Sequence, residues 1–431
     1  MVARILRERW SLSAWCVIAA FGAYFCMYAF RKPFTAGAYA DVGAWGIQTK
    51  TLLVTAQVFG YTISKFIGIK VISEMPANRR VLWLLTLIGA AEGALFLFAL
   101  TPAPWNCLFL FLNGLPLGMV FGLVLGFLEG RRHTEALTAG LCTSFIVSGG
   151  VTKSVGALLL EAGVTEAWMP FAAGMLFVPP LLLFAWMLSR IPAPSVADIA
   201  ARSVRAPMDG AERWAFYRRY GLGLSLLIFV YLLVTILRSV RDDFAPEIWT
   251  ALGVVGEPGV FALSESLIGL AIVVLCGLAV LIDDNRRAFF GAIAMALAGL
   301  FLVAAALAGW MQNALSPLAF MVLHGLGLYL PYVLFHTTLF ERLIALTRDR
   351  GNIGYLMYLA DAVGYLGYVG VMLGKGIVGT SEDFLDFFVP LSWGIAVLSA
   401  LLLIPCWRYF ASHPATRQPT VPAVAPIQVE V

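Results

Sequence analysis

YFCMYAFRKPF (residues 24–34) and FVYLLVTILRSVRDDFAP (residues 229–246) decide how this chain is read. In the first, Tyr24, Tyr28 and Arg31 stand at i, i+4 and i+7; in the second, Tyr231, Thr235 and Arg238 repeat that spacing. A helix turns such positions onto one face. Each stretch therefore carries an aromatic, hydroxyl-bearing stripe that ends in a guanidinium. An arginine close to hydrocarbon costs from about 2.5–3.5 kcal/mol upward. Meeting that cost twice, in register, points to a use for both side chains.

Outward from these stretches the chain is apolar almost throughout. Of its 431 residues 61% are hydrophobic and 13% charged, a balance with too little polar surface for a soluble core of this size. Segments of about 20 residues or more, enough to cross a bilayer, recur near 12–34, 51–73, 81–101, 105–128, 137–161, 168–189, 220–241, 258–282, 287–310, 315–338, 353–375 and 388–410. Backbone facing lipid must satisfy its own hydrogen bonds, so the twelve segments are read as helices. Twenty of the 29 Lys and Arg lie before the first segment, in alternate loops, in the connection 190–219 and after the last segment. The opposite loops near 102–104, 162–167 and 311–316 carry none, which predicts a multi-pass protein of the plasma (inner) membrane with both termini cytoplasmic. The basic start resembles a signal peptide, but its length and the eleven segments behind it favour an uncleaved first helix.

The connection 190–219, with Pro192, Pro194, Pro207 and Gly210 among its charges, separates six segments from six. The expected organisation is therefore an N-terminal half (1–189), a cytoplasmic linker (190–219), a C-terminal half (220–410) and a disordered tail (411–431). The halves echo each other again. GIKVISEMPANRR sets Gly68, Glu74, Arg79 and Arg80 between segments two and three, and CGLAVLIDDNRR sets Gly277, Asp283, Asp284, Arg286 and Arg287 between segments eight and nine.

Six segments plus six about a central linker is the layout of major facilitator carriers, all-α polytopic proteins that bind solute near the midplane between two halves. The motifs narrow the resemblance. RKPF resembles the R-K-N-F of the organophosphate:phosphate antiporter family, and GYTISKFIG (60–68) is similar to that family's G-x-S-K-F signature. The seventh segment, with its arginine, following acids and Pro246, SES at 264–266 and GYLG at 364–367 are similar to the family's seventh, eighth and eleventh helices. The resemblance implies that Arg31 and Arg238 project into a central cavity, that Lys65 lines it, and that inorganic phosphate is the exchanged species. One departure stands out: Ser148, Gly149 and Gly150 are present in segment five, but the family's histidine is not. Lys153 is a candidate for the missing positive charge.

Position alone leaves two places open for Arg31 and Arg238: the lipid–water interface, reached by snorkelling, or the protein interior, where a planar fork of donors matches phosphoryl or carboxylate oxygens. Lys65 and Lys153 lie mid-segment and need an anion beside them. The candidate substrate-binding set is Arg31, Lys65, Arg238, Tyr24, Tyr28, Tyr231 and Lys153; the candidate coupling or gating set is Glu265, Asp361 and His324. Glu92 reads as a helix-packing residue, and Asp242 and Asp243 as an outer-loop ion-pair set. Tyr329, Pro331 and Tyr332 read as a kink in segment ten. Glycines 149, 150 and 156 and glycines 364, 367 and 370 read as smooth faces where the halves slide. His324 and His336, about 18 Å apart along a helix, cannot share a metal, and proton sensing is the alternative to a structural role for them. The six cysteines have no metal, haem or redox spacing.

These features predict a carrier, not an enzyme: no catalytic motif, phosphate-binding loop or cofactor site is present. The expected solute is small and anionic, phosphorylated or phosphonylated, with phosphate or a proton as the coupling species. A proton-coupled symporter of a carboxylate or other polar solute, or a transport-dead sensor, is the alternative. The expected partners are that solute and the lipid bilayer, without nucleic acid, and the expected state is a monomer.

Overall fold

The computed structural model describes residues 2–40, 47–73, 75–128, 131, 134–193, 210–280, 282, 284–347, 353–378 and 384–417. Its long helices are α1 (Val2–Ala29), α2 (Thr49–Ser73), α3 (Arg80–Leu100), α4 (Cys107–Leu128, in two pieces), α5 (Thr134–Glu161) and α6 (Met169–Ser189). The second set is α7 (Gly210–Asp243), α8 (Gly259–Val280), α9 (Asn285–Met311), α10 (Pro317–Thr347), α11 (Ile353–Val378) and α12 (Phe384–Ser412). Eleven of these contain an apolar window long enough to cross a membrane. The exception is α2. At 25 residues it has the length, but Lys50, Gln57, Ser64 and Lys65 lower its hydropathy. All four are buried against other helices, while Phe59, Phe66 and Ile67 point outward. Across the bundle the pattern is the same: large apolar side chains such as Leu270 and Phe301 are exposed, and charged ones are buried. That is the reverse of a soluble protein and fits a multi-pass membrane protein.

The helices pack in two groups of six with the same internal pattern. α1 lies on α5 and α6, as α7 lies on α11 and α12; α2 lies on α4, as α8 lies on α10; α3 lies on α4 and α6, as α9 lies on α10 and α12. The groups meet along α2–α11 and α5–α8. This is the all-α major facilitator fold.

Glycine permits the closest of these approaches. A Cβ on Gly114 of α4 would sit 2.1 Å from the Gln57 carbonyl oxygen of α2, and one on Gly60 of α2 would sit 2.1 Å from that of Phe111 of α4. Both neighbours are backbone and cannot rotate away. Gly114→Ala is therefore expected to force α2 from α4 and lower the melting temperature, whereas Gly93→Ala, with no heavy atom within 4 Å of the added carbon, should leave it unchanged. Of the glycines expected between the halves, Gly150 does meet α8 at the Phe261 carbonyl, and Gly149 faces Asp242 of α7. Gly364 and Gly367, by contrast, pack on Thr235 and Leu232 of α7, inside one half.

Several boundaries differ from the sequence expectation. α7 starts at Gly210, so the last ten residues assigned to the linker are its first turns. The end of the chain stays ordered past 411: α12 runs to Ser412, His413 packs on the Tyr220 ring at 5.1 Å, and Pro414–Arg417 forms a further turn of helix. Glu74, Arg132, Arg202, Arg205, Asp283, Arg348, Arg350 and the tail from 418 lie outside the described residues.

Candidate functional site

The two arginines sit in the bundle interior, not at an interface. Arg31 is 3% exposed and Arg238 4%. α1 ends at Ala29 because Pro33, just ahead, cannot donate to the helical ladder. That leaves the carbonyls of Phe30 and Arg31 to be capped by side chains. Asn113 of α4 donates to Phe30 O at 2.9 Å, and Gln57 of α2 donates to Arg31 O at 3.0 Å and to Asn113 Oδ1 at 2.8 Å. The backbone that carries Arg31 is thus fixed from two neighbouring helices. Its guanidinium lies flat over Tyr61, 3.9 Å from the ring centroid, with Tyr28 and Tyr365 at 6.0 and 5.9 Å. Among the described residues it forms no salt bridge, and its Nε has no hydrogen-bond acceptor.

Arg238, deep in α7, is held in the same way. Its guanidinium lies 4.5 Å from the Tyr332 ring and donates to Tyr365 Oη at 3.1 Å and Ser239 Oγ at 3.3 Å. It too is outside salt-bridge reach of any carboxylate among the described residues, and its Nε is unpaired. Tyr365 of α11 therefore stands between two guanidinium groups, one from each half. Cation–π contact offsets part of the burial cost, about 2 kcal/mol or more for a close contact when desolvated. It supplies no opposite charge.

Beside the arginines, Lys65 of α2 pairs with Asp361 of α11 at 2.8 Å. Tyr61 and Lys65 are an i, i+4 pair, as are Asp361 and Tyr365, and the two pairs face each other across the α2–α11 contact: the Tyr61 and Tyr365 rings lie 4.9 Å apart. Tyr231 of α7 donates to Asp361 Oδ1, and Tyr24 and Tyr28 stack edge-on at 5.6 Å on the side of α1. Among the described residues, Lys65 alone of the three cations has a carboxylate at salt-bridge distance; Asp243 and Asp242 reach Arg31 and Arg238 only at longer range.

A second set of buried charges closes the end at which α1 and α7 finish. Lys32 bonds both Asp242 and Asp243, the latter at 2.5 Å; Lys153 of α5 bonds the Asp242 carboxylate and its carbonyl, the latter at 2.7 Å. Tyr368 of α11 donates to Asp243 at 2.9 Å, and Lys50 pairs with Glu247 at 2.5 Å. These lysine pairs all join the first half to the second. Two lysines face two aspartates here, and these carboxylates also lie within electrostatic reach of Arg31 and Arg238.

Residues 33–413 match the family described as "Family of unknown function (DUF5690)". The chain belongs to that family. No curated protein sequence matches it. Among solved structures this DUF5690 chain is similar to a D-xylose–proton symporter, with a TM-score of 0.62 at 13% identity over 96% of this chain and 99% of that one. It is also similar to the human organic anion transporter MFSD10 (TETRAN), with a TM-score of 0.53 at 13% identity over 93% and 98%. At this identity the likeness speaks for the fold.

Of the candidate residues in the DUF5690 sequence, the structure gathers Arg31, Lys65, Arg238, Tyr24, Tyr28, Tyr231 and Asp361 into one cluster. It does not bring the other three there. Lys153 is engaged by Asp242 at the closed end. Glu265 pairs with Arg241 at 2.6 Å, both in the second half. His324 packs between Phe320 and Phe388 and bonds Ser392 of α12 at 3.2 Å. Asp242 and Asp243 form ion pairs, as expected, but as the last buried residues of α7, not in an outer loop. Glu92 lies against Gly174 of α6, a packing position. Tyr61, Tyr365, Lys32, Lys50, Arg241 and His336 are outside the candidate sets that the sequence suggests. For Tyr61 and Tyr365 a signal exists, the i, i+4 spacing of Tyr61 with Lys65 and of Asp361 with Tyr365.

Proposed function

We propose that this chain is a secondary carrier of a small dianionic solute of the phosphoryl or phosphonyl class, working by alternating access between its two halves. The observation that carries the reading is Arg31: a guanidinium 3% exposed with no carboxylate partner among the described residues, facing the equally unpaired Arg238 across Tyr365. Neither fork has a carboxylate at salt-bridge distance, and a solute with two negative charges and several acceptor oxygens would satisfy both at once. The resemblance of RKPF and SKF to the organophosphate:phosphate antiporters favours the same solute class, and the fold is shared with an organic anion transporter. On the orientation that the basic loops predict, with both termini cytoplasmic, the lysine–aspartate seam lies at the external end and serves as the gate there. The halves then rock about the solute, exchanging that seam for an opening.

A ligand panel tests the solute class. Purified protein in lipid nanodiscs is melted with phosphate, glycerol phosphates, sugar phosphates, phosphonates, dicarboxylates and neutral sugars. A member of the phosphoryl or phosphonyl group present at a hundred times its Kd is expected to add about 2.7 kcal/mol of stability. Stabilisation by neutral sugars or by cations alone would contradict the reading.

A further inference from the structure

His336 lies in the one stretch of α10 that is not α-helical: Phe335–Leu339 is a π turn, four residues past Pro331. Such turns concentrate at functional sites because they re-aim a side chain at a small cost in helical bonding. Here the turn aims the imidazole at the carboxylate of the central cluster. Nδ1 lies 3.0 Å from the Tyr332 carbonyl oxygen, which can only accept, so Nδ1 carries the hydrogen. In the neutral ring Nε2 is therefore bare. It faces Tyr231 Oη at 3.3 Å and Asp361 Oδ1 at 3.6 Å. The single Tyr231 hydroxyl hydrogen is already directed at Asp361. Nε2 and Asp361 Oδ1 thus compete for the one Tyr231 hydrogen, and the arrangement has room for one more proton, on Nε2.

Besides Asp361, the charges that face this cluster are the cations Lys65 and Arg238. α4 and α5 present the Phe121 and Phe145 rings, at 6.0 and 6.3 Å, and α9 carries no titratable side chain between residues 288 and 311. Cys142 of α5 is within electrostatic reach of Asp361 and of Cys276 of α8, and the remaining acid of α8, Glu265, is held by Arg241. From α2 the facing charge is Lys65, on the far oxygen of Asp361, and from α7 it is Arg238, over the Tyr332 ring that abuts the imidazole. From α11 come Asp361 and Tyr365.

We propose that His336 and Asp361, with Tyr231, form a proton-binding site that couples proton uptake to anion binding. The coupling half of this proposal rests on the anion reading above. A proton taken from solvent by Nε2 makes an imidazolium beside Asp361. That second cation loosens the Asp361 claim on Lys65, which turns to the anion held by Arg31 and Arg238. Loss of the proton returns Lys65 to Asp361 and weakens the anion's hold. Each ligand thus raises the affinity for the other by the same factor.

Two readouts separate the proton site from the anion site. The chain has four histidines, so the imidazole nitrogen signals of labelled protein in nanodiscs are few, and His336→Gln assigns one set. That ring is expected to pass from the Nδ1–H tautomer to the imidazolium over a descending pH series, and to stay neutral throughout in Asp361→Asn. A His336 ring that keeps one state across the range overturns the proposal, whatever anions do. For the coupling, sulfate is the probe, because its charge is constant over this range. In weak buffer with a pH indicator, the wild type is expected to take up about one proton per sulfate bound, and its affinity to rise up to about tenfold per unit fall in pH. His336→Gln should bind sulfate without proton uptake. Sulfate binding by the wild type with no proton uptake overturns the coupling. If sulfate and the anion panel fail to bind while His336 still titrates, the anion reading falls and the proton site stands.

Discussion

Arg31→Lys and Arg238→Lys are each expected to weaken binding of the dianionic solute by about a hundredfold and to abolish its uptake into proteoliposomes, in protein that still folds. Lysine keeps the positive charge but loses the planar fork, and with it the paired, charge-assisted hydrogen bonds worth about 1.5–3 kcal/mol each. A purely structural arginine predicts something else. Removing one member of a buried ion pair costs about 3–5 kcal/mol, but neither arginine has such a partner to strand among the described residues. In the absence of ligand, Arg31→Met should therefore change the melting temperature little, well short of the loss expected for a broken buried ion pair. The burial cost relieved is about 2.5–3.5 kcal/mol on insertion scales. It is of the same order as the cation–π attraction that the substitution removes, about 2 kcal/mol or more at Tyr61 with weaker contributions from Tyr28 and Tyr365. Thermal unfolding of both variants, with and without ligand, separates the two roles. Full transport by both lysine variants would remove the arginines from the site.

Asp242→Asn is expected to have the largest effect on stability. Asp242 is 4% exposed and is shared by Lys32 from beyond α1 and Lys153 from α5. Neutralising it leaves two buried ammonium groups with one remaining carboxylate, Asp243, which bonds Lys32. A loss of about 3–5 kcal/mol follows, and it falls on interactions that join the halves. The variant should therefore also populate the state open at this end, read as faster thiol labelling of a cysteine placed at Ala36 in a background lacking the six native cysteines. An unchanged melting temperature and unchanged labelling would mean that the seam holds nothing closed. Because Asp242 forms its salt bridges with Lys32 and Lys153 and none with the arginines, Asp242→Asn is also expected to retain anion binding, with a changed balance between the two faces.

How much of this is legible in the sequence follows from the range of the interactions. The helices are legible because apolar length is a local property, and α2 reads as a spanning segment although its four buried polar residues depress its hydropathy. The stripe Tyr24–Tyr28–Arg31 and its echo Tyr231–Thr235–Arg238 are legible because i, i+4, i+7 spacing fixes a helix face. What lies on the other side of each face is not. Lys153 stands as deep in its helix as Lys65, and only packing shows that one meets Asp242 and the other Asp361. Glu265 reads as a coupling or gating candidate, and only packing shows that it is held by Arg241 within the second half. His324 and His336 are equivalent as letters. A π turn and a carbonyl four residues back distinguish them, and neither is written in a spacing rule. The early start of α7 and the ordered residues after 411 escape the sequence reading because charge and proline content suggest helix ends that packing extends.

The most direct measurement places a heavy oxyanion. Tungstate has the shape and charge of the proposed head group, and its anomalous scattering marks its position without reference to any assumed solute. In crystals of the protein grown with tungstate, the account predicts one strong peak between Arg31 and Arg238, beside Tyr365, that disappears in Arg31→Met. Tungstate found only on the surface, or at the lysine–aspartate seam with the space between the arginines empty, would contradict it.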